Sequence, residues 1–374
     1  MASILEKAYR SKRVLVTGHT GFKGSWLLEW LLSLGAVVRG YALDPQPHEI
    51  LYDQLGLADR IDGDYRGDLA DRESIAELID DFRPEVIFHL AAQPLVRLSY
   101  DIPVQTFATN IMGTAHVLDG IRQAKHPCAV VAVTTDKCYD NREWLHGYRE
   151  EDPMGGSDPY SASKGAAELV IASFRRSFFS DDGPIKVASS RAGNVIGGGD
   201  WAIDRIVPDC IRAIRSASPV PIRNRTATRP WQHVLEPLSG YLWLGALLSE
   251  PHLNPLPSRG QSLCSAFNFG PPLGSNRTVA HLVSELIRHM GGQWICAADA
   301  SAPHEASKLN LATDKAFHLL GWEAVWTFEE TVQHTADWYV AEHSGNDVAE
   351  YTRNQIAAYE QAAIAKRIPW AFSC

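Results

Sequence analysis

Short apolar runs alternate with amphipathic stretches through the first half of the chain. "RVLVTG" (13–18) is an apolar, β-branched run of strand length, closed by a glycine. From Lys23 to Leu34 the apolar positions Trp26, Leu27, Trp30 and Leu31 fall at helical spacing. "AVVRGYALD" (36–44) is a second strand, and a short strand falls near 60–68. A helix is expected over 72–82, and "EVIFHLAA" (85–92) reads as a further buried strand. Another helix is predicted from about Pro103 to Ala124, followed by the strand Ala129–Val133. Runs that are apolar at every position suit strands covered on both faces. The alternation therefore predicts an α/β architecture, a parallel doubly wound sheet with helices on both sides. After about residue 190 the regularity falls, and Gly, Pro and Arg become dense in "AGNVIGGGDW", "PVPIRNRTATRP" and "PHLNPLPSRG". This shift predicts a first domain over 1–190, with a returning segment near 230–250. A second, smaller mixed α/β domain is expected from 191–229 and 251–374.

Composition narrows the possible functions. The 374 residues are 45% apolar and 21% charged, ordinary for a soluble globular chain. A net charge of −9 argues against a nucleic-acid partner, which calls for a basic surface. The six cysteines are scattered without CxxC or metal-type spacing and read as reduced thiols. "PHEASK" (303–308) lacks the second histidine of a zinc site, and no metal is expected. The N-terminal "MASILEKAYRSKR" has no apolar core of a secretion signal, and no apolar run reaches membrane-spanning length. The expectation is a cytoplasmic protein with no membrane partner.

Three local patterns carry chemistry. "VTGHTGFKG" (16–24) places Gly18, Gly21 and Gly24 between the first strand and the first helix. Glycines there let the backbone turn sharply and approach a pyrophosphate, which the helix N-terminus then receives. Asp44 ends the second strand, where an acid accepts hydrogen bonds from ribose hydroxyls and repels a 2′-phosphate, favouring NAD over NADP. Asp68 in "RGDLAD" is either an adenine ligand or a helix N-cap. Second, "PYSASKGAAE" (159–168) sets Tyr160 and Lys164 four apart, on one helical face. A phenol normally ionises near pH ~10, and a neighbouring ammonium and a nicotinamide's charge would bring it down. Third, the strand at 129–133 runs into Thr135, Asp136 and Lys137, polar groups where a parallel sheet presents its chemistry.

"VTGHTGFKG", "HLAAQPLVR" (89–97), "TNIMGT" (109–114), "TTDKCY" and "YSASK" stand in an order that resembles the extended short-chain dehydrogenase/reductase family over nearly the whole chain. "DKCYDNREW", "GYREEDPMGG", "RAGNVIGGGDW" and "RPWQHVLEPLSGY" narrow the likeness to its NAD-dependent nucleotide-sugar 4,6-dehydratases, those acting on CDP-glucose. The resemblance implies a Rossmann-type NAD-binding domain and a nucleotide-sugar-binding domain. It implies C4 oxidation by bound NAD, loss of water across C5 and C6, and hydride return to C6. The product would be a 4-keto-6-deoxy sugar for cell-surface polysaccharide. Homo-oligomers, dimers or tetramers, are implied too, because family members commonly pair through two helices in a four-helix bundle.

Carried over residue by residue, the motifs imply that Gly18, Thr20, Gly21, Phe22, Lys23, Gly24, Asp44, Asp68, Leu69, Ala91, Ala92, Asn110, Tyr160 and Lys164 hold NAD. Tyr160 with Lys164 would be the C4 base, Thr135 the hydroxyl on the C4 oxygen, and Asp136 the C6 acid. Lys137 stands where dehydratases of dTDP- and GDP-sugars carry a glutamate as the C5 base. As a base it needs a pKa well below ~10.4. It could instead stabilise the enolate as an ammonium, or pair with Asp136. Asn194, Arg205, Arg223, Arg229, His233 and His304 are the expected substrate ligands, with Arg229 the foremost. An NAD-dependent epimerase, a dehydratase of another nucleotide sugar and a non-catalytic NAD-binding regulator are the other readings.

Overall fold

A computed structural model describes residues 3–46, 50–257, 260–297 and 308–372. Strands β1 (Arg13–Thr17), β2 (Val37–Ala42), β3 (Gly63–Arg66), β4 (Val86–His89), β5 (Cys128–Val133), β6 (Ile185–Arg191) and β7 (Ala266–Asn268) form one sheet. Its order is β7-β6-β5-β4-β1-β2-β3, and every neighbouring pair is parallel. The winding reverses between β1 and β4, so the loops leaving those strands diverge over a crevice.

Alternation along the strands builds two cores. Val14 and Val16 of β1, with Phe88 and Val131, face α1 (Phe22–Ser33) and α5 (Leu235–Ser249). Leu15, Ile87 and Val130 point the other way, onto α2 (Arg72–Phe82), α3 (Gly113–Ala124) and α4 (Pro159–Phe178). The helix expected over 103–124 is present and helical throughout, with one widened turn in its middle. Pro103–Phe107 is followed by a wide π turn, Ala108–Met112, before α3 begins. That turn buries Asn110 beneath the crevice.

The returning segment near 230–250 is α5, which is apolar on nearly all sides and lies under β4, β5 and β6. Strand β7 also returns, so the stretch expected to lie in the second domain lends the sheet a strand. The two halves share one core running from Ile4 to Ala371. Glu236 joins them: its carboxylate accepts from Val325 N (2.8 Å), Trp326 N (2.7 Å) and the Tyr359 hydroxyl (2.7 Å). The last two helices, α6 (Phe328–His343) and α7 (Val348–Ala365), pack on each other, and α7 packs on α1. Among the described residues no helix is long and apolar enough to cross a membrane.

Candidate active site

The glycine turn between β1 and α1 is shaped by close backbone approach. Gly18 has φ +73°, and a Cβ on it would lie 2.7 Å from Ala91 N. A Cβ on Gly24 would lie 2.2 Å from the Gly18 carbonyl oxygen. Gly21 differs, because a Cβ there would meet only the Gly18 oxygen, at 3.6 Å. Gly21 is the N-cap of α1 and no side chain caps that helix, so its first N–H groups are open to an anion. This bare cradle fits a dinucleotide pyrophosphate.

Beneath it, Thr17 accepts a hydrogen bond from Ala91 N (3.2 Å) and donates to His89 Nδ1 (2.7 Å). His89 Nε2 donates to Thr114 Oγ1 (3.0 Å), whose hydroxyl donates to the Asn110 carbonyl (2.8 Å). The chain requires a neutral ring, and burial, with the charge of Lys164, pushes His89 down to about 3.

The other expected cofactor residues divide by position. Asp44 is largely exposed just beyond β2, 3.9 Å from Arg66 Nε. Asp68 accepts from Ala70 N (2.9 Å), and the N-cap of α2 is Asp71, which accepts from Ser74 N (3.1 Å). The capping alternative for Asp68 is therefore corrected. Leu69 is buried against Gly113, and Thr20 donates to the Leu43 carbonyl (3.3 Å). Phe22, Ala91 and Ala92 are half-buried around the turn. Burial and the neighbouring Arg205 hold Lys23 down, to about 8. The Asn110 amide is engaged within the protein, with Gln93 N (2.8 Å), the Gln93 carbonyl (3.1 Å) and Ser163 (2.8 Å). These bonds shape the loop after β4.

Across the crevice, β5 ends in a short 3-10 turn, Asp136–Cys138, capped by Thr135. Thr135 and Asp136 are buried and Lys137 is half-buried. Asp136 Oδ1 accepts from the Thr135 hydroxyl at 3.0 Å, while its buried Oδ2 has no partner among the described residues. Burial raises the Asp136 pKa against the opposing charges of Lys137, Arg229 and Lys23. Tyr160 and Lys164 lie buried on α4, which starts at the Asp158 cap. Burial pushes Lys164 down to about 8. The same effect pushes Tyr160 up to about 12, opposed by a hydrogen bond with Thr135 and the charge of Arg205. Protein groups alone thus do not produce the lowered phenol pKa that the sequence suggested, because desolvation outweighs them.

Three residues of the site escaped the sequence reading. Glu168 continues the Tyr160–Lys164 stripe by one more turn, and its carboxylate accepts from Arg191 (2.9 Å), Ser189 (2.8 Å) and Thr134. The four-residue spacing was a usable signal for Glu168. Gly193 and Gln232 lie against Asp136 and its backing loop, and nothing local marked them.

The expected substrate ligands also separate. Asn194 has φ +44° and a buried, unpartnered Oδ1. Arg205 is half-buried and pairs with Asp200 (3.0 Å), while its charge reaches Tyr160 and Lys23. Arg229 is half-buried with its charge acting on Asp136. Arg223 is exposed and pairs with Asp204 (3.1 Å). His233 is a correction: it is fully buried between Trp26 and Trp326, ring centroids 5.7 and 4.8 Å away. Its Nδ1 accepts from Leu235 N at 3.3 Å, so it is a core residue. His304 lies outside the described residues. Among the described residues no cluster of His, Cys, Asp or Glu could hold a metal.

A bare glycine turn at the reversal of the winding, facing a buried tyrosine and lysine and a strand-end acid, defines a dinucleotide-dependent enzyme. Residues 15–245 match the model of the GDP-mannose 4,6-dehydratase family, and the chain belongs to that family. A CDP-glucose 4,6-dehydratase of Salmonella typhimurium is 46% identical over 346 residues, covering 91% of this chain and 94% of that protein. A dTDP-glucose 4,6-dehydratase of Streptomyces antibioticus is 30% identical over 87% of this chain and 92% of its own. Among solved structures, dTDP-glucose 4,6-dehydratase from Bacillus anthracis in complex with NAD superposes with a TM-score of 0.73 at 20% identity. The superposition covers 91% of this chain and 100% of that one. UDP-glucose 4-epimerase from Thermotoga maritima with UDP-glucose scores 0.74 at 21% identity, over 89% of this chain and 99% of its own.

Proposed function

We infer that this chain is an NAD-dependent CDP-glucose 4,6-dehydratase, a lyase converting CDP-D-glucose to CDP-4-keto-6-deoxy-D-glucose and water. Near-half identity to the Salmonella enzyme over almost the whole of both chains supports the substrate. The observation that carries the reaction is Asp136, a buried carboxyl with an unpartnered oxygen, beside Thr135 and the Tyr160 phenol. A simple epimerase has no leaving C6 oxygen and no use for such an acid.

Bound NAD supplies the hydride acceptor for C4, the hydride donor for C6 and a fixed positive charge near the phenol. Gly18, Gly21 and the N-terminus of α1 would hold its pyrophosphate, and Asp44 its ribose hydroxyls. Tyr160 takes the C4 hydroxyl proton once the bound cofactor's charge joins Lys164 beside the phenol, and Thr135 holds the C4 oxygen. Asp136, whose pKa burial raises, is the acid assigned to the departing C6 oxygen. Lys137, half-buried next to it, is assigned to the C5 proton. Arg205 and Arg229 bring positive charge to the same region and take the substrate diphosphate with Asn194.

The test is incubation of NAD-loaded protein with CDP-, dTDP-, UDP- and GDP-glucose. A 4-keto-6-deoxy product from CDP-glucose alone is expected. Inversion at C4, or preference for another nucleotide, would sink the reading.

For the partner we propose a second copy of the chain. Val104 (79% exposed), Met112 (52%) and Leu169 (63%) present apolar side chains near the start of α3 and on α4. Sedimentation of the purified protein as a monomer would remove this assignment.

A further inference from the structure

We propose that Gly193, clamped by Gln232, is the positioning residue that seats the Asp136 carboxyl for proton delivery. The proposal rests on the reading of Asp136 as the C6 acid. A Cβ built on Gly193 would lie 1.9 Å from Asp136 Oδ2, 2.0 Å from Cγ and 2.4 Å from Oδ1. The carboxyl therefore occupies the volume that any side chain at 193 would take. Backbone conformation does not call for glycine here, because Gly193 is absent from the positive-φ positions that include Gly18 and Gly199. The requirement is steric and comes from Asp136.

The loop cannot easily retreat from the carboxyl. Asp136 N donates to the Ala192 carbonyl (3.3 Å), tying the two segments together. From the far side Gln232 N donates to the Asn194 carbonyl (3.3 Å). Gln232 Nε2 donates to the carbonyls of Gly193 (2.9 Å) and Phe269 (3.3 Å). Gln232 is buried, where the low local dielectric strengthens these bonds. Asn194, at φ +44°, fixes the turn that follows. The bare Cα of Gly193 thus walls one edge of the carboxyl, and Thr135 holds its other oxygen. A methyl group at 193 would turn the acid off this seat, and proton transfer tolerates little displacement.

The test compares two substrates in NAD-loaded enzyme. CDP-glucose reports elimination; CDP-6-deoxyglucose can be oxidised at C4 but has no C6 oxygen to lose. For Gly193→Ala, elimination is expected to fall about 100-fold or more, while C4 oxidation, read by reduced-nicotinamide absorbance, stays within about threefold. Equal loss of both steps, or unchanged elimination, overturns the proposal. Gln232→Leu should give the same split at about tenfold, and keeps the test open if Gly193→Ala does not fold. Asp136→Asn separates the two layers of inference. If it keeps elimination, the acid assignment falls, and the positioning role with it. If it blocks elimination and Gly193→Ala does not, only the positioning role falls. The double variant should lose no more than Asp136→Asn alone, and additive losses would count against the mechanism.

Discussion

Two buried carboxylates stand close together at the end of β5, and they are built in opposite ways. Glu168 is reached from Thr134, accepts from Ser189 and Arg191 as well, and is held below the usual range. Burial pushes its pKa up, but the Arg191 charge and these hydrogen bonds outweigh it. Asp136, two residues beyond Thr134, has one hydrogen bond from its own loop and an orphaned oxygen, and burial wins. The satisfied carboxylate locks α4, and therefore Tyr160 and Lys164, onto β5 and β6. In the unsatisfied one, burial favours the protonated form. A buried charge with all its partners is an anchor, and one lacking them is poised to react.

The difference can be broken from either side. The largest effect is expected for Asp136→Asn, which should slow elimination by about 10²–10⁴, measured as 4-keto product per unit time. Next is Glu168→Gln, which leaves Arg191 buried without its counter-charge and should lower unfolding stability by about 3–5 kcal/mol, read by denaturant titration. The pH dependence has a definite sign. Glu168 is depressed in the folded state, so its stabilisation is present above its unfolded pKa of 4.5 and is lost as pH falls through the folded value. The gap between parent and Glu168→Gln should therefore close in acid. Asp136 is raised, so its burial weakens the fold as pH climbs from the unfolded 3.8 through the folded pKa. Asp136→Asn should show the smallest stability change, neutral or favourable at pH 7. A marked loss of stability in that variant would erase the contrast.

Much of the frame was legible because it is local. Strand length, helical spacing and the glycine turn each depend on residues a few positions apart, and the sheet follows from their alternation. Tyr160 and Lys164 were readable for the same reason, and Glu168 belonged to the same stripe but was passed over. The helix at 103–124 was legible but its π turn was not, because a widened turn that buries Asn110 leaves the apolar pattern almost unchanged. His233 was misplaced because the sequence cannot tell an imidazole in a cleft from one held between Trp26 and Trp326.

By itself the sequence determined a doubly wound sheet, a dinucleotide turn and a tyrosine–lysine pair, since periodicity and motif spacing are properties of neighbouring residues, and its longer motifs carried the resemblance to dehydratases. Only the tertiary structure decided which carboxylate would be quiet and which reactive. Arg191 and Ser189 reach Glu168 from β6, and Gly193 and Gln232 back Asp136 from loops distant in the chain. Desolvation and hydrogen-bond satisfaction arise from what packs around a group, and that surrounding is assembled only when the chain folds.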